Sequence, residues 1–261
     1  MLLPGRDVCN VFVAGVFLLL LACRFISGFE SDINCLRSIR AELEDPLDML
    51  SSSWDFSNAT EGFICNFLGV ECWQPHENKV LNIKLGDMGL KGQFPRGVQN
   101  CTSLTGLDLS SNDLSGPIPE DIHQLISYIS SLDLSSNSFS GPIPRSISNC
   151  TLLNVLKLDN NKLTGQIPPE LAQLRRLKTF SVSNNQLSGP VPNFNNGTIG
   201  VESYANNHGL CGAPLESCRS SSQNKWSKDI VRAIKSHAEL MFGALGFGIG
   251  FVFSFSYFVF Q

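Results

Sequence analysis

Asp108 and Asp133 stand 25 residues apart inside the same hexapeptide, Leu-Asp-Leu-Ser-Ser-Asn. A matched pair of carboxylates is what a glycosidase uses as acid and as base or nucleophile. That chemistry needs one of the two acids set against an apolar wall to raise its pKa, and no such wall is evident. Lys84 and Lys157 fall at the same repeat position as the two aspartates, and Asp159 falls in the neighbouring column with Ser110 and Ser135. Mixed charge at one recurring position reads as a solvated recognition surface. His76, His123, His208 and His237 are scattered along the chain, so neither a metal site nor a catalytic triad is expected, and no cofactor is called for. Gly246, Gly248 and Gly250 lie in an apolar tail without the strand, turn and helix that a nucleotide loop requires. The net charge of −4 comes from interspersed signs with no basic patch, which argues against nucleic acid as a partner.

The elements that would position these residues repeat. Gly92, Gly116, Gly141, Gly165 and Gly189 each open a Gly-x-x-Pro element, at intervals of 24, 25, 24 and 24 residues. That period belongs to leucine-rich repeats. Apolar columns precede each glycine at fixed offsets: Val80, Leu104, Ile129, Leu153 and Leu177; Ile83, Leu107, Leu132, Leu156 and Phe180; Leu85, Leu109, Leu134, Leu158 and Val182. The last two alternate with polar residues, predicting a short strand with one apolar face per repeat. One unit cannot bury that face alone, but five stacked units can. The fold class is therefore an α/β leucine-rich-repeat solenoid of about five repeats. Asn112, Asn137, Asn161 and Asn185 recur at the bend after the strand, where an inward amide can both donate to and accept from the backbone. Met88 takes that place in the first repeat, so the ladder is expected to begin late. The i,i+3 apolar pairs after each proline suit a helical or 3₁₀ turn on the convex side.

Solenoid ends need caps. Upstream, Cys35-Leu36-x-x-Ile39-Arg40-x-x-Leu43 reads as a helix broken at Asp45-Pro46, and Trp54, Phe56, Phe63 and Phe67 supply bulk to cover the first repeat. Cys65 with Cys72, and Cys211 with Cys218, are the natural disulfides of the two caps, in an oxidising compartment. Cys101 and Cys150 share a column with Leu125 and Leu174 and read as small buried hydrophobes. Cys35 is left without an evident partner, and a rearranged pairing within the cap stays open. Sequons at Asn58, Asn100, Asn149 and Asn196 are candidate glycan sites.

The two ends of the chain are continuous apolar blocks. Residues 1–28 read as a secretory signal peptide, and 240–261 as a probable span for a hydrocarbon core that needs about 20 residues. No Lys or Arg follows that block, whereas Lys225, Lys228, Arg232 and Lys235 precede it, so a glycolipid-anchor signal is a second reading of the tail. Between the ends the expected organisation is an N-terminal cap (29–79), repeats (80–199), a C-terminal cap (200–219) and a juxtamembrane stem (220–239).

Leu104 to Pro119, Leu-Thr-Gly-Leu-Asp-Leu-Ser-Ser-Asn-Asp-Leu-Ser-Gly-Pro-Ile-Pro, resembles the plant-specific class of leucine-rich repeats almost throughout, as does Tyr204 to Leu215 of the cap. The overall resemblance covers about residues 30 to 220, and within it the cap from Cys35 to Cys72 and the run Gly89-Leu90-Lys91-Gly92-Gln93-Phe94-Pro95 are most similar to short-ectodomain receptor-like kinases of the inactive, coreceptor-interacting kind. The chain itself contains no kinase motif. The resemblance implies a non-enzymatic module that binds another leucine-rich-repeat receptor or coreceptor ectodomain at the plant cell surface, attached to the membrane through its C-terminal segment. A secreted or wall-associated inhibitor of a hydrolase, or a truncated receptor fragment, are the alternatives. The expected contact surface comprises Trp54, Phe56, Lys84, Asp108, Asp133, Lys157 and Asp159, and a small ligand is left unspecified.

Overall fold

A computed structural model describes residues 32–57, 60–194 and 199–218. The signal peptide, Asn58, Asn196, the stem and the apolar C-terminal block lie outside the described residues. The chain divides into the units Met1–Ser217 and Cys218–Gln261, and the fold described below is that of the first. Among the described residues no helix is long and apolar enough to cross a membrane.

Each repeat contributes two strands rather than one. In chain order they are β1 (Val70–Cys72), β2 (Val80–Lys84), β3 (Lys91–Gly92), β4 (Gly106–Asp108), β5 (Asp113–Pro117), β6 (Ser131–Asp133), β7 (Ser138–Pro142), β8 (Val155–Lys157), β9 (Lys162–Gly165), β10 (Thr179–Ser181), β11 (Gln186–Pro190) and β12 (Gly209–Cys211). The expected concave sheet runs β1-β2-β4-β6-β8-β10, with β1 antiparallel to β2 and the other pairs parallel. Its register matches the sequence columns: Ile83 pairs with Leu107, Leu107 with Leu132, Leu132 with Leu156 and Leu156 with Phe180. All of these residues are buried. A second sheet, β12-β11-β9-β7-β5-β3, forms on the flank. It is built from the Gly-x-x-Pro segments of the five repeats and from β12 of the cap; the glycines that open those segments, Gly92, Gly116, Gly141, Gly165 and Gly189, take positive φ of 76 to 121°, a region that only glycine enters without strain.

The asparagines work between repeats. Asn161 Nδ2 donates to Leu134 O, Leu158 O and Asp159 O, while its Oδ1 accepts from Phe139 N–H. Asn112, Asn137 and Asn185 repeat the pattern, each closing the bend of the repeat before it. Asn207, in the C-terminal cap, is a fifth rung: it accepts from Leu187 N–H and donates to Val182 O. Asn112 closes the first repeat by accepting from Met88 N–H and Leu90 N–H. The ladder thus starts after Met88, as expected, and reaches one repeat further than expected.

The convex side carries short turns, Arg96–Asn100, Arg145–Asn149 and Pro169–Gln173, and a one-turn helix at Ile122–Leu125. Ahead of the repeats a helix over residues 32–42 buries Cys35, Leu36 and Ile39. It ends where Asp45 accepts from the N–H groups of Met49, Leu50 and Ser51 at the start of the helix Met49–Ser53. Two cysteine readings need correction. Cys35 is bonded to Cys101, 66 residues away, so Cys35 is not free and Cys101 is not merely a small hydrophobe. The link ties the cap helix to the first repeat's convex turn. Cys65–Cys72 forms as expected, Cys211 and Cys218 are both disulfide-bonded, and Cys150 is a buried free thiol.

Candidate protein-binding surface

The outward positions of the concave sheet line up as the sequence columns predicted: Lys84 beside Asp108, Asp108 beside Asp133, and Asp133 beside Lys157. Their charges are compensated locally. Lys157 Nζ lies 2.9 Å from Asp133, and this carboxylate, followed by Asp159 and Asp108 at longer range, raises the lysine's pKa. Lys84 pairs with Glu71 on β1, outside the predicted set. Lys84 and then Asn82 hold the Glu71 carboxyl below its ordinary value by hydrogen bonding. Asp108 and Asp133 each accept from a serine two residues on, through both N–H and hydroxyl: Ser110 at 2.9 and 2.6 Å, Ser135 at 3.1 and 2.6 Å. Asp159 accepts from Asn160 Nδ2. The carboxylates are therefore held by hydroxyls, amides and a lysine. Gly106 completes the arrangement, because a Cβ there would lie 2.4 Å from Asn82 Oδ1, which accepts from Thr105 Oγ1. Among the described residues no group of three His, Cys, Asp or Glu side chains is placed to hold a metal ion.

Of the two expected aromatic anchors, Trp54 is buried and Phe56 is partly buried. Trp54 is 0% exposed. Its ring stacks on Phe67 at 5.9 Å, and its Nε1 donates to Leu68 O. Phe56 packs edge-on to Phe67 at 5.1 Å beneath the Arg37 guanidinium. An open solenoid end demands apolar cover, and these aromatics provide it, so Trp54 does not belong to the contact surface and Phe56 belongs mainly to the cap.

Two other aromatics are exposed, Trp73 at 52% and Tyr128 at 63%. Trp73 follows β1. It is fixed by donation from Nε1 to Ser103 O at 3.2 Å, and Lys79 Nζ stands 5.8 Å from its ring centre. Ser103 and Tyr128 occupy the same place in successive repeats, one residue before Leu104 and Ile129. Both rings thus sit along the edge where the concave strands begin. A sequence signal existed for Tyr128, since the column that holds it otherwise reads Lys79, Ser103, Leu152 and Arg176, without the constancy of a core position. Nothing local marked Trp73 as different from the buried Trp54.

A surface of hydrogen-bonded polar groups flanked by two exposed aromatics, Trp73 held by a hydrogen bond and Tyr128 free to adjust, can bind protein. Models of the leucine rich repeat N-terminal domain match residues 29–73, and of the leucine rich repeat 103–125, 128–150, 152–174 and 176–196. The first repeat, which carries β2 and β3, falls between these matches. A leucine-rich repeat receptor-like protein kinase of Arabidopsis thaliana is 55% identical over 225 residues, covering 86% of this chain and 36% of that protein. The chain thus spans about a third of that relative. The solved ectodomain of BIR2 from Arabidopsis thaliana is 48% identical with a TM-score of 0.70, over 72% of this chain and 98% of that one. BIR2 itself is named an inactive receptor-like kinase. A chain in the crystal structure of the BIR3–SERK2 complex from Arabidopsis thaliana is 42% identical with a TM-score of 0.68, over 72% of this chain and all of that one (100%).

Proposed function

Because this chain belongs to the plant leucine-rich-repeat receptor-like ectodomains of the BIR2 and BIR3 kind, we propose that it binds a second leucine-rich-repeat ectodomain, of the SERK coreceptor type, at the outer face of the plant plasma membrane. The observation that carries this reading is the match, at 42% identity and over 72% of this chain, to the whole of a chain crystallised in a complex between two such receptors. The role is non-enzymatic: the ectodomain occupies a coreceptor and so sets how much of it is free to pair with other receptors. Membrane attachment through residues 240–261 is part of the proposal.

The contact surface we assign is the concave row Lys84, Asp108, Asp133, Lys157 and Asp159 together with the adjoining edge that carries Trp73 and Tyr128. Charged residues in the row set register and exclude wrong partners. The aromatics supply desolvated anchors, which the row itself lacks. Immobilised SERK2 ectodomain, titrated with the secreted fragment 29–218 and analysed for saturable binding, tests the proposal. Saturation that is competed away by BIR3 ectodomain supports it. Absence of binding by material whose disulfides have been verified by mass spectrometry overturns it.

A further inference from the structure

Two repeats present the same acceptor tripeptide at the same register. Asn100-Cys101-Thr102 and Asn149-Cys150-Thr151 each place asparagine at the last residue of a convex 3₁₀ turn, followed by cysteine at φ −80° or −76°. By sequence alone they are equivalent sites for N-linked glycan. Their surroundings differ in three respects. Cys101 is bonded to Cys35, whereas Cys150 is a free thiol. Thr102 is taken by the cap, its N–H donating to the buried Asp32 Oδ1 at 3.2 Å and its hydroxyl reaching the same oxygen at 3.5 Å. Thr151 is exposed, and no described side chain holds its hydroxyl. Asn100 is half-buried; Asn149 is exposed.

We propose that these two sequons are modified unequally: Asn149 is the constitutive glycan site, and occupancy of Asn100 is set by a race between glycan transfer and closure of the Cys35–Cys101 disulfide. In transfer, the asparagine Nδ2 forms a bond to the anomeric carbon of a lipid-linked oligosaccharide. The bond from that carbon to the diphosphate breaks, the lipid diphosphate leaves, and the amide gives up one proton. The transferase must grip the carboxamide and the threonine hydroxyl together on a pliable segment, which a folded turn tied down at the two residues after the asparagine does not offer. In the competing step the two thiols lose two protons and two electrons to a dithiol oxidase of the secretory lumen. Cys35 precedes Cys101 by 66 residues, so it is already in the lumen when Asn100 reaches the transferase. Once the bond closes and Thr102 docks on Asp32, the site is withdrawn. Asn149 faces no such competitor. In the folded protein Cys150 ends as a buried thiol and not as half of a disulfide.

The full chain is expressed in plant cells and occupancy is read at each sequon by peptide mass spectrometry after enzymatic deglycosylation in heavy-oxygen water. Asn149 is expected to exceed Asn100 in the unaltered protein, and Cys35→Ser, which leaves both tripeptides intact, is expected to raise Asn100 to parity. Total cell extract is analysed, so retention of a misfolded variant does not hide the result. Brief treatment of cells making the unaltered chain with a membrane-permeant dithiol reductant should have the same effect without any substitution. Equal occupancy at the outset, no change at Asn100 under both manipulations, or absence of glycan from both sites overturns the proposal.

Discussion

Asn161 satisfies three carbonyls and one N–H with a single buried amide, and no apolar side chain can replace it without stranding those groups. A stranded buried backbone group costs about 1–3 kcal/mol, part of which water recovers where the bend is open. Asn161→Leu is therefore expected to destabilise the solenoid by at least about 2 kcal/mol. It should lower the midpoint of urea unfolding with little change in slope. Charge acts more weakly at this scale. Glu71 is held below its ordinary pKa by Lys84 and Asn82, and a depressed acid contributes stability that is present above its unfolded pKa and lost as pH falls through its folded one. Both partners are about half exposed, so solvent screening keeps the gain below about 1 kcal/mol. Thermal midpoints of wild type and Glu71→Gln, compared from pH 6 downward, should converge below the ordinary carboxylate range. Lys157 has the opposite sign. Its raised pKa makes its contribution complete below the unfolded lysine value and lost as pH climbs past the folded one, so Asp133→Asn should matter at neutral pH and cease to matter in strong alkali.

At the scale of elements, the Cys35–Cys101 bond joins the cap helix to the convex turn of the first repeat across 66 residues, while Cys65–Cys72 closes only 7. Loop-closure entropy grows with the logarithm of loop length. It amounts to about 4 kcal/mol for the long loop and about 2 kcal/mol for the short one, before native-state relaxation reduces both. Replacing Cys35 and Cys101 by serine should lower the melting temperature more than replacing Cys65 and Cys72; the reverse order in calorimetry would mean that the cap helix is not what holds the first repeat. The long bond was hidden in the sequence because Cys101 shares a column with Cys150, Leu125 and Leu174, where a buried cysteine needs no partner. The concave strands and the asparagine rungs were legible because a constant period converts weak local signals into columns. The flanking sheet was not: in Asp113–Pro117 only Leu114 is buried, so its strands carry no apolar alternation, and their pairing depends on the neighbouring repeat and on glycine backbone geometry. Asn207 escaped for a related reason, standing 22 residues after Asn185, inside the cap and off the 24-residue period.

For the molecule as a whole, the distribution of aromatic residues decides how it can meet a partner. The polar rows of the surface were readable from the period, and the structure keeps them in register. Which aromatics stay outside was not readable, because Trp54 and Trp73 belong to the same cap and only three-dimensional packing separates the one stacked on Phe67 from the one hydrogen-bonded to Ser103 O. A concave row whose lysines are already paired with Glu71 and Asp133 has little free charge to trade for affinity. Exposed rings bury a large apolar area on binding, and Trp73, already fixed by its hydrogen bond to Ser103 O, loses little freedom in doing so. The anchors should therefore dominate the energy, with the row acting on association rate. Trp73→Ala is expected to weaken binding to a SERK-type ectodomain by tenfold or more, at least about 1.4 kcal/mol, chiefly through faster dissociation. Tyr128→Ala should act in the same direction. Asp108→Asn should change the association rate and its salt dependence while leaving dissociation nearly as it was. Surface-based kinetics at two ionic strengths separates these effects. If dissociation is unchanged in both aromatic variants and accelerated in Asp108→Asn, the contact lies in the centre of the concave sheet and the edge is bystander surface.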